Sequence, residues 1–92
     1  MPLNPSDPVV EAAVFGQEVE NFLNTRIGAY LLRKAQDQAS EAIEELAVVD
    51  AEDPKAIRKL QNKISVSDQF IGWLREAIMM GEQATDALRE ES

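Results

Sequence analysis

The chain has 92 residues, seventeen Asp and Glu against nine Lys and Arg, a net charge of −8, and neither Cys nor His. That composition excludes a disulfide framework, a thiolate or imidazole metal site and a cysteine nucleophile, and the acidic balance opposes direct nucleic-acid binding. No run of about eighteen apolar residues is present to span a membrane, and the first residues lack the basic and apolar regions of a signal peptide, so a single small cytosolic domain is the expectation.

Residues 1–6, with Pro2, Asn4 and Pro5, read as a flexible N-terminal arm, and residues 7–92 as one helical domain. Asp7 before Pro8 has the form of an N-cap followed by a first-turn proline, which opens helix 1. Helix 1 is predicted over about 8–24, burying Ala12, Phe15, Val19, Phe22 and Leu23. Gly16 weakens its middle by up to about 1 kcal/mol relative to alanine, so tertiary packing must hold it. Asn24-Thr25 is the expected break, with Thr25 as the next N-cap. Helices 1 and 2 running on as one helix, with helix 1 swapped onto a second chain, is the alternative at this point.

Helix 2 is predicted over about 26–49, with Leu32, Ala35, Ala39, Ala42, Leu46 and Val49 recurring in steps of three and four. Its alanines let a partner backbone come close. The stretch Asp50-Ala51-Glu52-Asp53-Pro54 makes a turn and caps helix 3, predicted over about 54–89 and roughly 50 Å long. Helix 3 carries two seams. The first is Ile57, Leu60, Ile64, Ser67, Ile71, Leu74, Ile78, Gly81, Thr85 and Leu88. The second starts only part-way along, at Val66, Phe70, Trp73, Ala77, Met80 and Ala84, because the equivalent earlier positions are Lys59 and Lys63. One apolar stripe implies one neighbour, and a second stripe implies another over that stretch.

The charges suggest which helices are neighbours. Glu41, Glu44 and Glu45 end helix 2, and Lys55, Arg58, Lys59 and Lys63 begin helix 3, each the wrong sign for its helix dipole. An antiparallel hairpin sets Glu44 and Glu45 opposite Arg58 and Lys59 and resolves both. The expected fold is therefore all-α: a long, coiled-coil-like antiparallel helical hairpin with a shorter N-terminal helix packed at one end. In that arrangement helix 1 folds back from Thr25 over residues 27–41 of helix 2, beside residues 62–76 of helix 3. It would cover Val66, Phe70 and Trp73. Beyond Ile78, helix 3 outruns helix 2 and has no partner of its own.

The candidate partner-binding residues are Trp73, Met79, Met80, Ala84 and Leu88. Trp73 reads first as core beneath helix 1 and second as an intermolecular anchor. Met79 and Met80 read equally as an adaptable contact patch or as a frayed overhang. The acids from Glu41 to Asp53 lack the spacing and central glycine of a calcium loop, and a solvated, salt-bridging helix end is the plainer reading. No phosphate loop or serine-centred motif is present, and a slim helical hairpin offers no cleft to separate carboxylate pKa values. The expectation is no enzyme, no cofactor and no metal.

The run Phe15-Gly16-Gln17-Glu18-Val19-Glu20-Asn21-Phe22-Leu23 followed by Ile27-Gly28-Ala29-Tyr30-Leu31-Leu32 resembles a segment recurring in small tailed-bacteriophage proteins. Residues 53–64 and Trp73-Leu74 are similar to the same group, and the likeness covers about residues 15–88. It lies in helix-packing patterns, not in chemistry. Genes of such proteins sit near those for terminase and portal, so the resemblance implies a head-assembly or DNA-packaging accessory in the host bacterial cytoplasm or the virion. Its expected partners are itself, as a homo-oligomer, or another phage or host protein. The alternative from another class is an inhibitor or adaptor that binds a host defence or regulatory protein through its acidic surface.

Overall fold

The computed structural model describes residues 7–91, which form three helices and no strand: α1 Pro8–Leu23, α2 Arg26–Val48 and α3 Pro54–Glu91. The arm predicted over residues 1–6 lies outside the described residues.

Each helix starts where a side chain can satisfy its open N–H groups. The Asp7 carboxylate accepts from the Val9 N–H at 2.8 Å, with Pro8 as the first helical residue. Asp53 accepts from the Ala56 N–H at 3.1 Å ahead of Pro54, while Asp50 accepts from the Glu52 N–H at 2.9 Å and closes the preceding turn. At the predicted break, Thr25 Oγ1 accepts from the Gly28 N–H at 3.0 Å and donates to the Phe22 carbonyl at 2.6 Å. One hydroxyl thus ends α1 and caps α2, and the two helices are not continuous. Thr25→Ala is expected to cost about 1 kcal/mol, leaving the buried Gly28 N–H without its acceptor, whereas Thr25→Ser keeps near wild-type stability. Thermal unfolding of the two variants checks this, with a fall of roughly 4–8 °C expected for alanine alone.

The chain divides into two compact units. One is Tyr30–Gly72, made by most of α2, the turn and the first half of α3. Its inward residues match the predicted lines: Ala39, Ala42 and Leu60 are buried, as is Ser67, with Leu32, Ala35, Leu46, Ile57 and Ile64 half-buried beside them. Ala42, at 2% exposed, marks how closely the backbones approach. The predicted charge pairing is not made. Among the described residues no ion pair within 4.0 Å joins Glu44 or Glu45 to Arg58 or Lys59, although Glu45, Lys59 and Lys63 border one shallow concavity. An exposed pair gains only about 0–1 kcal/mol and must order two long side chains to do so, so solvation prevails.

The other unit joins the chain up to Ala29 to the chain from Trp73 onward. Here α1 lies directly on the second half of α3. A Cβ on Gly16 would stand 2.7 Å from the Gly81 Cα and 2.9 Å from the Ala77 carbonyl oxygen. A Cβ on Gly81 would stand 2.8 Å from the Gly16 Cα and 3.0 Å from the Ala12 carbonyl oxygen. The two backbones therefore touch at a pair of glycines, each preceded four residues earlier by an alanine. Ala12 and Phe15 share a concavity with Trp73, Ala77 and Met80, and Gly16, Gln17 and Glu20 share another with Gly81, Glu82, Thr85 and Arg89. Residue numbers rise together on both helices, so α1 runs alongside α3 in the same direction.

This placement corrects two sequence expectations. Val66, expected to be covered, is 61% exposed, and the stretch beyond Ile78 is not without a partner in its own chain. Gly81 and Ala84 are buried, and Thr85 and Leu88 half-buried, in the unit that contains α1. The physical reason is the glycine pair. Gly16 reads in isolation as a weak point in helix 1, but its missing side chain is what lets α1 settle at Gly81.

Candidate functional site: an apolar interaction surface

Close approach at Gly16 and Gly81 fixes what α1 can cover and what it must leave open. The small residues Ala12, Gly16, Ala77, Gly81 and Ala84 take the middle of the contact. The bulky neighbours on one side are left at the rim. Phe15 on α1 and Trp73 and Met80 on α3 border one groove, and they are 57%, 65% and 50% exposed. Glu76 lies one turn beyond Trp73 at this groove, while Glu11 and Glu18 border a separate concavity with Val10, Val14 and Phe15.

Of the predicted partner-binding residues, the structure sorts three from two. Trp73, Met79 and Met80 are exposed, Trp73 at the groove and not beneath a helix. Ala84, at 8% exposed, belongs to the chain's own packing, and Leu88 is half-buried. Truncation at Gly81 would accordingly remove the seat of α1 as well as any binding surface.

Phe15 and Phe22 were expected inside helix 1's core, and both are exposed. A signal for Phe15 was present in the sequence. Glu11 and Glu18 lie four before it and three after, on the same helical face, and a face turned fully into a core does not carry two carboxylates. In the unit Tyr30–Gly72 a different patch forms. Lys55, Arg58, Lys59 and Lys63 border a concavity with Gln38 and Val66. None of the four cations closes an ion pair among the described residues. Sequence reasoning had expected neighbouring acids to neutralise them.

Among the described residues no group of three or more carboxylates is placed to hold a metal ion, and no buried side-chain polar atom lacks a hydrogen-bond partner. No helix among them is long and apolar enough to cross a membrane. No protein-family model matches the sequence, and neither a curated protein nor a solved structure is significantly similar to it.

Proposed function

We propose that this chain is a non-enzymatic bacteriophage protein that self-associates or docks a protein partner through α3, serving as an accessory in head assembly or DNA packaging. The observation that carries the binding role is the surplus of apolar surface. No side chain among the described residues is less than 2% exposed, while Phe15, Val66, Trp73, Met79 and Met80 are half exposed or more. A protein that kept such residues only for folding would bury them, and aromatic and methionine side chains gathered at a groove are the composition of an interface. The phage assignment rests on the resemblance of residues 15–32 and 53–74 to small tailed-phage proteins. The non-enzymatic assignment rests on the lack of His and Cys and on grooves whose carboxylates lie in the open. In this reading α2 and the first half of α3 form an antiparallel, coiled-coil-like hairpin. The short turn at residues 49–53 and the matching small and large inward residues on the two helices support it.

Absolute mass by light scattering over a hundredfold concentration range tests the binding role. A dimer or larger assembly is expected, and Trp73→Ala should shift it toward monomer at unchanged helicity. A monomer at every concentration that also retains no phage protein in pull-downs from infected cells would overturn the reading. Mass spectrometry of purified heads and packaging intermediates tests the assembly role, with the chain expected in one or both. If it is absent from both and instead retains a host regulatory protein, the inhibitor reading replaces it.

A further inference from the structure

Residues 54–67 hold Lys55, Arg58, Lys59 and Lys63 and not one Asp or Glu, a local charge of +4 in a chain of net −8. The structure gathers all four at one concavity of the unit Tyr30–Gly72, where Asn62, Val66 and, from α2, Gln38 complete the border. No acid among the described residues borders it. Glu45 shares a neighbouring concavity with Lys59 and Lys63, yet closes no ion pair with either among the described residues. All four cations are exposed.

Folding gains nothing from this arrangement. Lys55 lies in the first turn of α3, at the positive end of the helix dipole, where a cation is unfavourable by about 0.3–1 kcal/mol. Lys55 and Lys59, and again Lys59 and Lys63, are like charges four residues apart, each pair costing about 0.2–0.5 kcal/mol more. A charge pattern that works against its own helix, and that closes no ion pair among the described residues, is explained by a partner outside the chain.

The chemistry of the border favours a phosphate backbone. Lysine and arginine, with the amides of Asn62 and Gln38, are side chains of the kind that contact phosphates. The row Lys55, Lys59, Lys63 advances about 6 Å per step and spans about 12 Å. Phosphates on one strand of a duplex advance about 3.4 Å each along its axis, so such a row meets roughly three or four of them. No aromatic side chain borders the patch, so the stacking platform of single-strand binding is missing from it. An acidic protein segment or an anionic bilayer would draw on larger apolar anchors, and this border offers only Val66.

We propose that this face of α3 binds the backbone of double-stranded DNA, through charge and without reading sequence. The net charge of the whole chain opposes such binding and holds it to the micromolar range or weaker. The four cations act at shorter range, within a Debye length of about 10 Å at 0.1 M salt. The proposal stands apart from self-association, and a monomer and a dimer are equally able to carry the patch.

Anisotropy of a short fluorescent duplex, titrated with the full chain from low to physiological salt, tests it. Binding is expected at low salt, with the logarithm of affinity falling against the logarithm of salt at a slope of roughly −3 to −4. Lys59→Ala with Lys63→Ala should flatten that slope by about 2 and raise the low-salt Kd about tenfold or more, at unchanged helicity by circular dichroism. Arg75→Ala, a cation outside the patch, should change neither. No binding at low salt overturns the proposal, as does a double variant that keeps the wild-type slope or an Arg75 variant that loses as much as the double. Tighter binding of a single strand of the same length, or of polyglutamate of equal charge, also overturns it and assigns the patch to that other partner.

Discussion

Gly16→Leu is expected to detach α1 from α3, at a cost of about 2 kcal/mol or more, even though leucine is the better helix former by nearly 1 kcal/mol. The atoms that a side chain would meet are the Gly81 Cα and the Ala77 carbonyl oxygen, at 2.7 and 2.9 Å from an ideal Cβ. Both are backbone, and neither can rotate aside, so the helices must part. Parting uncovers Val19 and Ala84, which are buried now. Hydrogen exchange should show residues 8–23 losing protection while residues 30–72 keep theirs, and the melting temperature should fall by roughly 8 °C or more. Gly72→Ala is the matched control. Nothing lies within 4 Å of its Cβ, so it should gain up to about 1 kcal/mol from helix propensity alone. The glycine pair also predicts a non-additive cycle. Gly16→Ala and Gly81→Ala each force the same separation, so the double variant should cost clearly less than the two single losses combined. Full additivity would show that the two glycines do not share one contact.

What the sequence made legible was whatever one helix determines by itself. Caps are local, so Asp7-Pro8, Thr25 and Asp53-Pro54 fall where their chemistry predicts. Faces are also local, and the first seam of α3 and the alanine line of α2 are buried or half-buried along their lengths. The seat of α1 was not legible, because it depends on two glycines sixty-five positions apart whose signal is the absence of a side chain. Hydrophobic periodicity gives Gly16 no weight and gives Gly81 the role of a gap in a seam. Close backbone approach instead makes them the crossing point, with Ala12 and Ala77 widening it. The misplaced helix carried the candidate site with it. Ala84 became internal, Leu88 half-buried, Phe15 external, and Trp73 came to the edge of a groove. The free lysines near Val66 were misjudged for a separate reason: opposite charges brought near each other on a wet surface need not pair.

Gly28→Ala should destabilise the monomer by at least about 2 kcal/mol, through the connection between α1 and α2 and not through their packing surfaces. Gly28 is the third residue of α2, with an ordinary negative φ, so its role is not conformational freedom. A Cβ there would overlap the Phe22 carbonyl oxygen and stand 2.6 Å from the Phe22 carbonyl carbon and 3.0 Å from the Leu23 Cα. The chain can turn from α1 into α2 only because position 28 has no side chain, and alanine forces the junction open. At this point the two glycine variants diverge. Gly16→Leu spoils the surface that α1 presents to any α3, its own or another chain's. Gly28→Ala leaves that surface intact and removes only the route to it within one chain. At low concentration both variants should lose protection over residues 8–23. As concentration rises, Gly28→Ala should regain it with a doubling of mass, because α1 can seat on the α3 of a second copy, while Gly16→Leu should not. Recovery in both would place the essential contact of α1 somewhere other than the glycine pair. Recovery in neither would show that the turn at Gly28 shapes α1 itself as well as its path.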